Sequence, residues 1–224
     1  MGDVARIQRI AGHPAIDFVN TLGGLPESAD DEYVFAYADL LTWIEGSGLV
    51  DPRTVAALRH ASEQHPERAD EVLARALRLR DGLDAVLRSH LAGAPSRAPS
   101  LDFVREAYAA AVSHAELSWT AEARYDWIWG VAGAVAALDR PLWPLAVQVV
   151  DLLCAVPLDR LARCGHCRWL FLDTSRNRSR RWCSMNACGA VMKMRRYRAT
   201  NRRPAARERA AGRTGGAVAA DSRG

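Results

Sequence analysis

Apolar residues recur along this chain at helical spacing in four stretches, switch to strict alternation after residue 118, and then return to a helical run. Tyr33 to Ile44 places Phe35, Leu40, Leu41 and Ile44 on one face and stops near Gly46 and Gly48, which predicts an amphipathic helix. Asp51-Pro52 predicts a helix start, a capping carboxylate followed by proline at the first helical position, with an end near His65-Pro66. A longer helix is predicted from about Glu67 to His90. Val72, Leu73, Ala76, Leu77, Leu83, Val86 and Leu87 share its apolar face, and Arg75, Arg78, Arg80 and Arg88 fall largely outside it, as a solvated face would. Gly93 to Pro99 reads as a linker, and Ser100 can cap a helix from Leu101 to about Leu117. From Trp119 to Trp129 the period becomes two: Trp119, Ala121, Ala123, Tyr125, Trp127 and Trp129 share one parity. Eleven residues are long for one strand, so a hairpin turning near Ala121–Ala123 is expected, its aromatic parity packed against the helices. Pro141 and Pro144 open a last body helix that ends before Pro157.

These elements give a mainly α protein with a small antiparallel β element (α+β). A helical N-terminal domain over residues 10–157 is expected to precede a small C-terminal zinc-binding module over 160–203. From Pro204 to Gly224, Ala, Arg and Gly dominate without periodicity, which reads as a disordered tail. The longest apolar run, Leu142 to Leu158, is interrupted by Gln148 and Asp151 and predicts no membrane span. Met1 to Ile10 carries Asp3, Arg6 and Arg9 without an apolar export core, so a cytoplasmic location is expected.

Charge divides the 224 residues unevenly. Thirteen arginines against 23 acids give residues 1–159 a net of −10; fifteen arginines and Lys193 against Asp173 and Glu208 give residues 160–213 a net of +14. An acidic body with a basic end reads as two modules, one of them meeting a polyanion.

Within the basic end stand Cys164, Cys167, Cys183 and Cys188, spaced C-x2-C, fifteen residues, C-x4-C. Two short knuckles of this kind suit one tetrahedral Zn²⁺ with four thiolates, a structural site. Unrelated buried cysteines or two disulfides are the alternatives; a reducing compartment favours metal. A structural zinc contributes about 10–16 kcal/mol in small peptides, enough to hold a segment too short for its own core. Cys154 is expected as a buried core thiol, and His166, inside the first knuckle, as an exposed residue. Trp169 to Leu172 should be a strand packed over the metal. Arg176, Arg178, Arg180 and Arg181 lie in a hydroxyl-rich loop suited to phosphate contact. Past Cys188 a helix is expected from Ala190 to about Arg203. Its Ala190, Val191, Met194 and Tyr197 would pack inward, and Lys193, Arg195, Arg196, Arg198 and Arg202 would spread over the open faces.

The run from Trp169 through Cys183-Ser-Met, followed by Cys188-Gly189, resembles the CGNR-type zinc finger, and His13-Pro-Ala-Ile-Asp-Phe-Val-Asn-Thr-Leu22 resembles the start of the ABATE domain that precedes it. The resemblance spans roughly residues 10–203 and implies a bacterial transcription regulator with a DNA-contacting finger. Where the family has Asn-Arg after Cys-Gly, this chain has Ala190-Val191, which removes an amide and a guanidinium from the start of the helix.

Two functional classes follow. In the first, a zinc module contacts nucleic acid, DNA before RNA, while the body senses a ligand or assembles as a homo-oligomer. In the second, the body itself binds or transforms a small molecule and the finger is structural; His13, Asp17, Asn20, Trp127 and Trp129 would then line the pocket. The chain holds no Gly-rich phosphate loop and no H-E-x-x-H, and the other histidines are scattered without ligand spacing. No catalytic residue is assigned, and an enzyme is the less favoured expectation.

Overall fold

A computed structural model describes residues 4–24, 32–94, 98–130 and 137–211, with 98–100 and 202–211 described by backbone alone. Contacts divide the chain into two compact units, Met1–Cys183 and Ser184–Gly224. In the first unit, α1 (Pro14–Val19), α2 (Tyr37–Gly46), α3 (Pro52–Gln64), α4 (Pro66–Leu91), α5 (Ala98–Val112) and α6 (Leu142–Cys154) pack around α4, which touches all five others. A hairpin of β1 (Ala115–Trp119) and β2 (Tyr125–Trp129) follows α5, and a short pair, β3 (Leu161–Arg163) and β4 (Leu170–Leu172), lies beside α1. The second unit opens on a π-helical turn, Met185–Gly189, that runs directly into α7 (Ala190–Ala211).

Local chemistry explains the helix starts. Asp51 accepts a hydrogen bond from the Thr54 amide at 3.0 Å and Pro52 follows it, so α3 begins where the sequence places it. Asp39 reaches back to the Phe35 and Ala36 amides, both at 2.9 Å, and satisfies two donors before α2. Pro66 both ends α3 and opens α4. The core collects Ile16, Phe18, Leu40, Leu41, Trp43, Ile44, Leu79, Leu83, Leu87 and Leu145, all fully buried or nearly so. Phe18 and Trp43 meet at 4.9 Å between ring centres, joining α1 to α2.

Several expectations are revised. The helix after residue 100 ends at Val112 rather than near Leu117, because Leu117 pairs with Trp127 across the hairpin. The hairpin turns over Thr120–Arg124, with Thr120 and Arg124 hydrogen-bonded at 2.8 Å and Ala123 in the left-handed region at φ 57°. Its aromatic parity is largely not core. Leu117, Trp119 and Tyr125 are 59–68% exposed and only Trp127 and Trp129 are half-buried. The ribbon's Trp119 and Tyr125 end is exposed, while toward its base Trp129 lies 6.1 Å from Trp143 of α6. Of the α4 arginines expected on a solvated face, Arg78 is exposed and the other three are paired. Arg80 is 3% exposed and clasps Glu32 through two bonds of 2.7 Å, Arg88 pairs with Asp84 at 2.8 Å, and Arg75 pairs with Asp139. Cys154 is exposed at the end of α6. α7 continues to Ala211, past the end expected near Arg203, and Val191, Met194 and Tyr197 are 40–63% exposed rather than packed inward. The stretch 212–224 lies outside the described residues.

Candidate metal centre and its surroundings

β3 delivers Cys164 and β4 leaves the knuckle after Cys167. Their antiparallel pairing (Leu161 with Leu172, Arg163 with Leu170) is closed by the Cys164 amide donating to the Trp169 carbonyl at 2.9 Å. The Gly165 amide bonds the Arg181 carbonyl at 2.9 Å, tying this knuckle to the irregular segment that carries Cys183. Gly165 has to be glycine, since a Cβ there would stand 2.9 Å from the Trp182 ring. Cys188 sits in the π-turn, where the Gly189 amide reaches the Ser184 carbonyl and the Ser184 hydroxyl caps the Ala187 amide. His166 is buried, contrary to expectation, because the knuckle folds against the body.

All four cysteines are buried, unbridged, and have their sulfurs within 4.8 Å of one another, with Cys167 and Cys183 Sγ at 3.5 Å. Four thiolates at 2.3 Å from a tetrahedral zinc stand about 3.8 Å apart, so the cluster fits the ion. The thiols also show why a cation belongs there. Hydrogen bonds from its neighbours hold the Cys164 thiol far below the usual range, while the bond to Cys164 pushes Cys167 up to about 12 and Cys183 well above the usual range. One negative charge opposes the next in so small a space, and a divalent cation reverses that opposition. The cluster is a structural zinc site for one ion per chain, closed by four protein ligands.

The first knuckle is bound to the body by polar contacts that reach far along the chain. Asn20 donates its amide to the Leu170 carbonyl and accepts from the Leu170 amide, both at 2.9 Å. The Leu172 amide bonds the Ala11 carbonyl at 2.8 Å, and the adjoining Gly12 holds φ 86°, a conformation that favours glycine. The Trp169 indole donates to the Gly23 carbonyl at 2.7 Å. Arg168 bonds Asp84 on α4 at 2.8 Å, and Arg88 of the same helix bonds both Asp84 and the Arg168 carbonyl. Asp84 and Arg168 were not legible as partners. The one hint was an acid interrupting the apolar face Leu83–Leu87.

Asp17 and His13 serve the same segment. Asp17 accepts from the Ile10 and Ala11 amides at 3.0 Å, and burial raises its carboxyl above the ordinary value against the pull of those two donors. His13 caps α1 by accepting the Ala15 amide on Nδ1, which leaves Nε2 to donate to Asp151 of α6 at 3.2 Å. Trp127 and Trp129 lie elsewhere, lining a cleft with Leu49, Arg140 and Pro144. Trp129 approaches α6 at Trp143, eight residues or about 12 Å of helix from the Asp151 that meets His13.

Of the loop arginines, Arg180 is turned inward. Its guanidinium bonds the Ile10, Trp182 and Cys183 carbonyls and covers the Phe171 ring at 4.3 Å. Arg178, left-handed at φ 49°, pairs with Asp159 at 2.6 Å, both groups half exposed. Arg176 is exposed, and Arg181 is exposed beside the Trp182 ring at 5.4 Å. Asp173 holds the loop by accepting from Ser175 and the Arg180 amide, and the Ser175 hydroxyl keeps its carboxyl below the ordinary value. On α7, Lys193, Arg195, Arg196 and Arg198 are exposed; the side chains of Arg202 and Arg203 lie outside the described residues. Among the described residues no helix is long and apolar enough to cross a membrane.

Residues 12–156 match the model of the ABATE family, described as "putative stress-induced transcription regulator", and residues 160–203 match that of the CGNR zinc finger. No curated protein gives a significant match to the chain.

Proposed function

The chain belongs to the ABATE family, and from that premise we propose that it is a DNA-binding regulator whose zinc finger contacts the duplex and whose helical body takes a ligand. The observation that carries the reading is the charge of the finger. Between Asp173 and Glu208 the sequence has no acid, and Lys193, Arg195, Arg196 and Arg198 are exposed on one helix. Such a concentration of exposed positive charge on one helix is an electrostatic footprint for a phosphate backbone. In the preceding loop, Arg176 and Arg181 are the candidates for phosphate contact, and Arg180 is a structural residue.

A titration of random duplex DNA over a range of salt tests this. Each neutralised phosphate contributes about −0.9 to the slope of log affinity against log salt. Replacing Lys193, Arg195, Arg196 and Arg198 together by Gln should flatten the slope by as much as about 3.6 and weaken binding to all sequences alike. Arg180→Gln should instead lower stability and leave the slope unchanged. Absence of DNA affinity at low salt, with RNA bound in its place or nothing bound at all, defeats the reading. Sequence preference should be modest, because Ala190 and Val191 offer no base-reading group at the start of α7.

A further inference from the structure

A cleft of about 330 Å³ opens between α4, α5 and the start of α6. That size falls in the range of small-molecule sites. Leu79, Ala107 and Leu142 form apolar parts of its wall, together with the rings of Phe103 and Trp143. Two features hold the wall open and fixed. Gly82, in the middle of α4, lets the Phe103 ring lie where a Cβ would stand 3.0 Å from it. The His114 imidazole lies almost parallel to the Trp143 indole, 4.6 Å away and 19° between planes. Alanines at 107 and 110 on α5 leave the space that larger side chains would fill.

The polar part of the lining is rich in donors short of acceptors. Asp139 is already shared, accepting from Arg68 at 2.8 Å and from Arg75. Arg75 Nε is buried and has no hydrogen-bond partner among the described residues. Arg78, exposed at the rim, has no acid partner among them either. Glu106, the other acid of the lining, faces Arg105 on its own helix at 3.7 Å. A buried donor without a partner among the described residues is open to an acceptor that a ligand would supply, and a carboxylate meets a guanidinium in the geometry that guanidinium favours.

We propose that this cleft binds a small carboxylate with an apolar, ring-sized body, the carboxylate on the Arg75–Arg78 side and the body against Phe103, Leu142 and Trp143. The site is distinct from His13, Asp17 and Asn20, which are engaged in holding the knuckle. It rests on the sensing half of the proposed function and is independent of the DNA half.

The test uses the full zinc-loaded chain without nucleic acid. 3-Phenylpropanoate and its primary amide, 3-phenylpropanamide, serve as probes, read by calorimetry and by saturation-transfer NMR. The acid should bind at least tenfold more tightly than the amide. Arg78→Gln, which removes no contact to a described acid, should erase that preference while leaving the weak binding of the amide. Ala107→Phe should abolish binding of both probes, with Ala110→Phe as the substitute if the first variant loses helicity or zinc. Equal affinity for acid and amide, no binding of either, or unchanged binding in the filled variant overturns the proposal. Because no step involves DNA, failure here leaves the duplex titration to be judged separately.

Discussion

Asn20 commits both ends of its amide to one residue 150 positions away, the Leu170 of β4. Both backbone groups of Leu170 are buried there, so truncating the side chain strands a donor and an acceptor together. Each stranded group costs about 1–3 kcal/mol. Asn20→Ala is therefore expected to lower the unfolding free energy by about 2–6 kcal/mol and to hasten zinc loss to a competing chelator, read by denaturant unfolding and by a colorimetric zinc indicator. A variant that unfolds as the parent does would show that water replaces the amide. His13, Asp17 and Asn20 stand out in the sequence only as candidate pocket residues. Their partners were not legible, since Asp151 and Leu170 lie 138 and 150 residues downstream. The same holds for Arg180: its charge suggested phosphate, and only the fold shows the carbonyls of Ile10 and Cys183 converging on it.

At the scale of elements, sequence signals worked where the chemistry is local. Asp51-Pro52 set the start of α3, Pro66 the joint to α4, and the period of two the hairpin. They failed where an element faces empty space. A parity of tryptophans implies burial only if something covers it, and nothing in the pattern says that the Trp119 and Tyr125 end of the β1–β2 ribbon is exposed. Trp119 and Tyr125 instead pack on each other across the strands, ring centres 5.2 Å apart. The turn beneath them holds Ala123 at φ 57°, a conformation that costs an L-residue roughly 1–2 kcal/mol. Glycine avoids most of that penalty and loses part of the gain to its freer unfolded state. Ala123→Gly should then stabilise the hairpin by about 1 kcal/mol, slowing hydrogen exchange at the Thr120 amide roughly fivefold. Faster exchange would mean that the turn tolerates alanine and gains only disorder from glycine. Val191, Met194 and Tyr197 on α7 teach the same point, since their three-residue spacing describes a face without naming what meets it.

For the whole molecule, composition suggested a body and a finger. The charge does divide there, from −10 to +14, yet the polar contacts do not. Asn20, Gly23, Ala11, Asp84 and Arg88 all bond the strand and knuckle that carry Cys164 and Cys167. Zinc and body should therefore support each other. Metal binding at thiolates is folding free energy, and protons compete for the same sulfurs. Stripping the ion with a chelator under reducing conditions leaves four thiols crowded within 4.8 Å, in a cluster that resists a second negative charge. The knuckle is then expected to open. With it should go protection of the Leu170 and Leu172 amides, whose acceptors are Asn20 and the Ala11 carbonyl. The amides within α3 have no bond to that segment and should keep their exchange rates. Hydrogen exchange followed residue by residue, before and after chelation, reads both groups at once. If Leu170 and Leu172 stay protected without metal, the body alone holds the knuckle, and zinc serves only to join Cys183 and Cys188 to it. If α3 loosens as well, the ion stabilises the helical body as far as α3, and the acidic and basic halves of the sequence fold as one cooperative structure.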